Sequence, residues 1–240
     1  MKHVLVWVTI LAIIIGCREN TEIDFVKQRE KMVKTQIKDR GIRDERVISA
    51  FRKVERHKFI PKENWEYGNG PYGDHSVPIG YGQTISQPYI VALMTELLSL
   101  KGEERVLEIG TGSGYGAAIL AELAKEVYTI EIIEALAKRS SMLLHKLGYQ
   151  NIMVKCGDGY IGWKEYAPFH AIIVTCAPPY IPEPLVQQLA EGGRMVIPVG
   201  TIHQELKLLV KKDGKIEEKT IIPVMFVPMT GKGIKKGTKR

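Results

Sequence analysis

Short apolar runs alternate with amphipathic stretches along most of this chain. Val106-Leu107-Glu108-Ile109, Val127-Tyr128-Thr129-Ile130-Glu131 and Ile152-Met153-Val154 each read as a strand. Ala171-Ile172-Ile173-Val174 is apolar throughout, as expected of a strand buried on both faces. Gly192-Gly193 precedes a further run, Arg194 to Val199; Leu206 to Val210 and Val224 to Val227 are later strand candidates. Helical stretches are expected at Ile90 to Leu98, at Ala117 to Leu123, and at Pro182 to Ala190 with proline near its start. Strands and helices alternate from Ile90 onward, which predicts one α/β domain with a doubly wound, mostly parallel sheet and helices on both faces. Before it, Asp24 to Phe59 is charged and helical by pattern, an N-terminal helical addition. Val33, Ile37, Val47, Phe51 and Val54 would form its apolar face. Glu63 to Gly82 is rich in Gly, Pro, Tyr and Asn and reads as loop, and so long a loop in a compact domain is usually functional.

The strand at Val106 runs into Gly110-Thr111-Gly112-Ser113-Gly114-Tyr115-Gly116. Glycines at alternate positions let a ligand lie against the backbone, and the helix start beyond them offers unpaired N–H groups. A dinucleotide fingerprint needs G-x-G-x-x-G; the sixth position is Tyr115 counted from Gly110 and Ala117 from Gly112, so both registers fail. What fits is G-x-G-x-G with Glu108 two residues ahead, a pattern that resembles the S-adenosyl-L-methionine loop of Rossmann-like methyltransferases. That resemblance implies Glu108, Gly110, Thr111, Gly112, Ser113 and Gly114 as cofactor residues; a glycine-rich turn without ligand is the alternative. Glu131 lies 21 residues after Gly110, where a carboxylate ending the second strand can hold both ribose hydroxyls, or stand as a solvated strand end. The third strand ends in Gly157-Asp158-Gly159, where Asp158 can accept from an adenine amino group beside Gly159; the triplet is also a common turn.

A more specific likeness follows from Arg56-His57-Lys58-Phe59-Ile60-Pro61, Gly82-Gln83-Thr84-Ile85-Ser86-Gln87-Pro88, the glycine loop, Gly157-Asp158-Gly159, Ala177-Pro178-Pro179, Pro198-Val199-Gly200 and Phe226-Val227-Pro228-Met229-Thr230. On these stretches the chain resembles the protein-L-isoaspartate O-methyltransferases, which repair isomerised aspartyl residues. The likeness spans residues 24–230 and implies a Rossmann-like methyltransferase domain. Residues 24–88 would hold the helical addition and substrate loop, and residues 89–230 the cofactor-binding sheet. It also implies S-adenosyl-L-methionine as cofactor, and isoaspartyl (with D-aspartyl) residues of damaged proteins and peptides as substrate. Ser86 would be the catalytic residue, and Gln83, Thr84 and Ile85 the substrate-binding ones. Two departures, His170 for an acidic residue and Cys176 for a small one, touch none of these motifs.

The implied chemistry suits what the chain lacks. A substrate carboxylate, with a reference pKa of about 4, is already the nucleophile at neutral pH, so no strong general base is required. A hydroxyl such as that of Ser86 can hold one carboxylate oxygen and orient the other. Gly-x-Ser-x-Gly is absent around Ser86, which argues against a hydrolase nucleophile; its alternative role is a helix N-cap before Pro88. Once methylated, the ester carries a better leaving group than the carboxylate does. The neighbouring backbone nitrogen then closes a succinimide unaided.

With 240 residues, one domain with a sizeable core is expected. The net charge of +7 owes much to Lys232, Lys235, Lys236, Lys239 and Arg240, and residues 231–240 read as a solvated basic tail rather than a nucleic-acid site. A methyltransferase for RNA or a small molecule is the first rival. Amino-methylating enzymes resemble one another in a polar residue before Pro-Pro-aromatic; here that place is Ala177, whose side chain accepts nothing. A binding module without turnover is the second rival, which Ser86 and the intact loop oppose. No metal site is expected: the histidines are scattered, His57 and His75 serve structure or face solvent, and no C-x-x-C occurs. Cys156 and Cys176 are expected as free thiols, and the protein as a monomer.

Residues 1–20 form a separate leader. Met1-Lys2-His3 is basic, Val4 to Ile15 is a twelve-residue apolar run, and Ile14-Ile15-Gly16-Cys17 resembles a lipoprotein cleavage box. Two locations stay open: the cytoplasm, where the methyl donor is made, or a membrane surface through lipid on Cys17.

Overall fold

The computed structural model describes residues 24–232. The Cys17 lipid-anchor expectation and most of the basic tail lie outside them. The first described element is helix α1 (residues 24–32), which widens to a π-helical turn over Val33–Ile37, tightens to a 3-10 turn over Lys38–Arg40 and stops at Gly41, in the left-handed region with φ +102°. Asp44 caps α2 (Glu45–Lys53) by accepting from Arg46 N at 2.8 Å. Val33, Ile37, Val47, Phe51 and Val54 are all buried, so the expected apolar face of this addition holds.

A two-stranded hairpin follows, β1 (Val77–Gly80) and β2 (Gln83–Ile85), and then α3 (Pro88–Leu98), with Pro88 in its first turn where no N–H is needed. The main sheet uses β3 (Arg105–Ile109), β4 (Glu126–Glu131), β5 (Ile152–Cys156), β6 (Phe169–Val174), β7 (Leu189–Gly200), β8 (Gln204–Lys212) and β9 (Lys215–Val224). They lie in the order β5-β4-β3-β6-β7-β8-β9; the pairs up to β7 are parallel, and the last two pairs are antiparallel. Helices α4 (Tyr115–Ala121), α5 (Glu134–Lys146) and α6 (Glu183–Gln187) complete the wound pattern.

Alternate strand residues enter two cores. Val106, Val127, Ile173 and Val196 pack with α2, α3, α4 and α5, whereas Leu107, Ile130, Ile172 and Met195 pack with Leu185 of α6, Tyr160 and Trp163. Both faces are covered, one by long helices and the other by α6 and short turns. The expected α/β class and mostly parallel sheet therefore stand. Among the described residues no helix is long and apolar enough to cross a membrane.

Four local expectations are corrected. The helix read over Pro182 to Ala190 stops at Gln187, because Leu189 pairs with Phe169 and Phe169 N donates to Gln188 O at 2.8 Å. Of the strand read at Val224 to Val227, only Val224 is in a strand, as the last residue of β9, which begins nine residues earlier in a charged stretch, Lys215–Val224. The loop read over Glu63 to Gly82 holds β1 at its end, since Val77 and Pro78 pair with Ile85 and Thr84. The glycine-loop helix also starts two residues early, at Tyr115.

Candidate active site

The strand order reverses at β3: β4 lies on one side of it and β6 on the other. Ligands of wound α/β sheets bind at such a switch point, beyond the carboxyl ends of the strands. Here a cavity opens, lined by Gly110 and Gly112 after β3, Glu131 at the end of β4 and Ile132 after it, Gly159 after β5, and Thr175 and Cys176 after β6. Gln83 and Thr84 of the hairpin close one side, and Val227 to Thr230 another.

Glu131 is the polar centre of that cavity. One carboxylate oxygen accepts from Gly112 N at 2.8 Å and the other from Ile133 N at 2.9 Å. Each oxygen keeps a lone pair for a diol. Gly110 and Gly112 have φ of +98° and +53°, and a Cβ on Gly110 would collide with Thr175 Oγ1. That hydroxyl itself donates to Gly110 O at 2.7 Å and closes the loop against β6. Thr175 carries no motif; only its place at the carboxyl end of the switch-point strand could have marked it in the sequence.

The other expected cofactor residues split. Thr111 and Ser113 face inward: Thr111 Oγ1 meets Thr129 Oγ1 at 2.7 Å, and Ser113 Oγ accepts from Tyr115 N at the start of α4. Gly114 supplies the left-handed N-cap of α4, φ +88°. Asp158 accepts from Tyr160 N at 2.9 Å and Lys232 N at 2.7 Å, so it secures the C-terminal segment, while Gly159 lines the cavity. Burial pushes the Cys176 thiol up to about 12, helped by Glu131, so it stays protonated and is no nucleophile.

Glu108 lies beneath the loop, 1% exposed, and accepts from Thr129 Oγ1 at 2.5 Å; a Cβ on Gly116 would strike it. Burial pushes its carboxyl up to about 8, against the hydrogen bond from Thr129. Between its unfolded value of 4.5 and about 8 the folded chain holds a proton that the unfolded chain releases. Stability from this group is therefore complete below the unfolded value and is lost as pH rises through the folded one. Glu108→Gln, always neutral, should remove that loss and raise the thermal midpoint at pH 8 by at least about 4 °C, with the gap closing near pH 5. Parallel midpoint curves for the two proteins would refute this.

On the outer side, Thr84, Ser86, Gln87, Ile90, Thr175 and the segment Pro223 to Val227 line an open groove. Thr84 and Thr175 are common to this groove and the inner cavity, and Ser86 with Ile85 lines the crevice that joins them to Gly110 and Gly112. The hairpin is pinned by Asn64 Nδ2 donating to Pro78 O at 2.8 Å and by Arg139 Nη2 donating to Ile79 O at 2.6 Å. Ile85 is buried and serves as the hairpin's foot. The N-cap alternative for Ser86 is overturned: Gln87 occupies the N-cap of α3 without a side-chain bond, so the Ser86 hydroxyl is left to the groove. Fully buried Arg56 donates to Pro71 O at 2.8 Å and lies 5.1 Å from the Tyr115 ring, joining the loop to α4.

Comparison with known proteins agrees with this geometry. The family described as Protein-L-isoaspartate(D-aspartate) O-methyltransferase (PCMT) matches residues 27–234. Protein-L-isoaspartate O-methyltransferase 2 of Shewanella sediminis is 52% identical over 213 residues, 88% of this chain and 86% of that protein. A Picosynechococcus protein-L-isoaspartate O-methyltransferase is 53% identical over 206 residues, 86% of this chain and 91% of its own. Among solved structures, a protein-L-isoaspartate O-methyltransferase superposes with a TM-score of 0.76 at 30% identity, covering 85% of this chain and 66% of that one. A putative Plasmodium falciparum homologue, in complex with S-adenosyl-L-homocysteine, gives 0.72 at 28% identity, covering 85% of this chain and 97% of its own. A match over nearly all the described residues, with half of the aligned positions identical in the curated relatives, places this chain in the protein-L-isoaspartate(D-aspartate) O-methyltransferase family.

Proposed function

We infer that this chain methylates the free carboxylate of L-isoaspartyl residues in damaged proteins and peptides, with Ser86 as the residue that orients the carboxylate. The observation that carries this reading is the meeting of the inner cavity and the outer groove at Thr84 and Thr175. A small donor and a polypeptide can approach each other there from opposite sides.

The inner cavity fits S-adenosyl-L-methionine by its residues: the Gly110 and Gly112 backbone for close approach, Glu131 for a ribose diol, and Gly159 beside the adenine. Bound there, this cofactor supplies a methyl group on a positive sulfur, open to in-line displacement. The chain's own task is alignment and exclusion of water. Ser86 and Thr84 hold one carboxylate oxygen and leave the other directed at the cavity. Reacting atoms must come within about 3–3.5 Å in line, which a pinned hairpin secures better than a mobile loop. No residue has to remove a proton.

The extra backbone methylene of an isoaspartyl residue moves its carboxylate relative to the peptide backbone in the groove. A peptide with isoaspartate should be labelled from radioactive S-adenosyl-L-methionine, and its normal aspartyl twin should not. Equal labelling of both, or preference for RNA, would overturn the assignment. Residues 24–230 serve as the catalytic unit. We place the enzyme in the cytoplasm with its methyl donor; acyl groups on Cys17 in membrane fractions of the native protein would move it to the membrane surface.

A further inference from the structure

Asn-Gly and Asp-Gly are the pairs most open to attack by the next backbone nitrogen on the side-chain carbonyl. Glycine has no Cβ to obstruct the five-membered ring, and the reacting groups are already in one molecule. The described residues contain three: Asn69-Gly70, Asp158-Gly159 and Asp213-Gly214. Two are guarded. The Asp158 carboxylate is held by Tyr160 N and Lys232 N, and Gly159 is buried. In the β8–β9 turn, Glu191 accepts from Asp213 N at 2.5 Å and from Gly214 N, the would-be attacking nitrogen, at 3.2 Å. Asn69 has no such guard. It is exposed, its carboxamide makes no hydrogen bond among the described residues, and Gly70 N is held by one turn bond, to Tyr67 O at 3.1 Å, outside any strand.

We propose that Asn69 is a site of spontaneous isomerisation in this enzyme, and that the isoaspartyl residue formed there is methylated and repaired by another copy of the same chain. The second half rests on the isoaspartyl reading above. Gly70 N gives up its proton and bonds to Asn69 Cγ, the C–NH₂ bond breaks, and ammonia leaves. Water opens the ring at the α-carbonyl, so the chain now runs through Cγ and the α-carboxylate is free. That carboxylate forms an O–CH₃ bond as the C–S bond of S-adenosyl-L-methionine breaks and S-adenosyl-L-homocysteine departs. Gly70 N closes the ring again with loss of methanol, and water opening it at Cγ leaves aspartate at 69.

The position matters to the enzyme. Asn69 N donates to His75 Nε2 at 3.1 Å, and His75 Nδ1 donates to Ser76 O at 3.0 Å. Gly68 and Gly73 wrap the ring; a Cβ on Gly68 would stand 2.7 Å from Nε2, and one on Gly73 would collide. Ser76 lines the outer groove. A backbone methylene inserted after residue 69 pushes Gly70 to Gly73 against this ring and disturbs the groove wall.

The test ages full-length wild type and Asn69→Gln in warm, mildly alkaline buffer without methyl donor. Gln is one methylene longer and would need a slower six-membered ring. Fragmentation of the tryptic peptide spanning 63–101 then locates isoaspartate. A second portion receives fresh enzyme and labelled S-adenosyl-L-methionine, with a synthetic isoaspartyl peptide in the same tube. The expected result is isoaspartate at 69 above any other position, base-labile label in the same peptide, recovery of aspartate on further incubation, and loss of all three in Asn69→Gln. Absence of isoaspartate at 69, or more of it at 213, overturns the proposal. So does isoaspartate at 69 that stays unlabelled while the synthetic peptide is labelled. If the synthetic peptide is also unlabelled, the isoaspartyl reading fails and the repair half falls with it.

Discussion

Gly112→Val is expected to abolish cofactor binding. Gly112 sits at φ +53°, where a β-branched residue is strained, and its N–H is the donor that orients Glu131. An added Cβ would stand 3.4 Å from Ile79 Cδ1, already in van der Waals contact before the two methyls of valine are placed. Backbone strain, crowding against Ile79 and a disturbed carboxylate act in the same direction. Calorimetry should show S-adenosyl-L-homocysteine binding weakened by at least about 100-fold, or about 2.7 kcal/mol. A circular dichroism spectrum close to that of wild type would show that the domain still folds. Affinity kept within about threefold would mean that the ligand lies elsewhere, and binding of NAD in its place would overturn the methyl-donor assignment.

Ser86→Ala is expected to act on the other partner. Its hydroxyl lines the outer groove and the joining crevice but not the cavity around Glu131, and no helix-capping bond consumes it. Removing one preorganised donor from a reacting centre costs about 10²-fold in rate, so kcat/KM for an isoaspartyl peptide should fall by about that factor. Affinity for S-adenosyl-L-homocysteine should stay within about twofold, since nothing around Glu131 changes. Turnover equal to wild type would remove Ser86 from the site. An equal loss of cofactor affinity would make it a support of the glycine loop instead.

These two expectations draw on different kinds of information. The glycine loop was legible because its conformation is local: alternate glycines after an apolar strand leave few other uses for that spacing. The catalytic assignment of Ser86 came from likeness to a family, and only the folded chain shows it beside Thr175, a residue nearly ninety positions away with no motif of its own. Glu108 and Glu131 look alike in the sequence, each a carboxylate among strand residues. One is sealed under the loop and becomes hard to ionise, whereas the other ends its strand at the cavity.

The sequence by itself determined the wound α/β class, the strands β3, β4, β5 and β6, and the place of the glycine loop. Apolar periodicity and glycine chemistry act over a few residues, and a strand covered on both faces has little choice of composition. Only the tertiary structure decided where pairing across long separations overrides local pattern. Charged β9 is a strand because β8 offers it a full antiparallel ladder, with Lys207 bound to Glu218 across it. Val227 to Met229, apolar enough for a strand, instead bridges Ala177: Ala177 N donates to Val227 O, and Met229 N to Ala177 O, each at 2.8 Å. Those bonds bring the C-terminal segment against the cavity, and Lys232 N reaches Asp158 from it. Backbone donors and acceptors must be paired once buried, and the partner that satisfies them is set by the fold, not by the neighbouring residues.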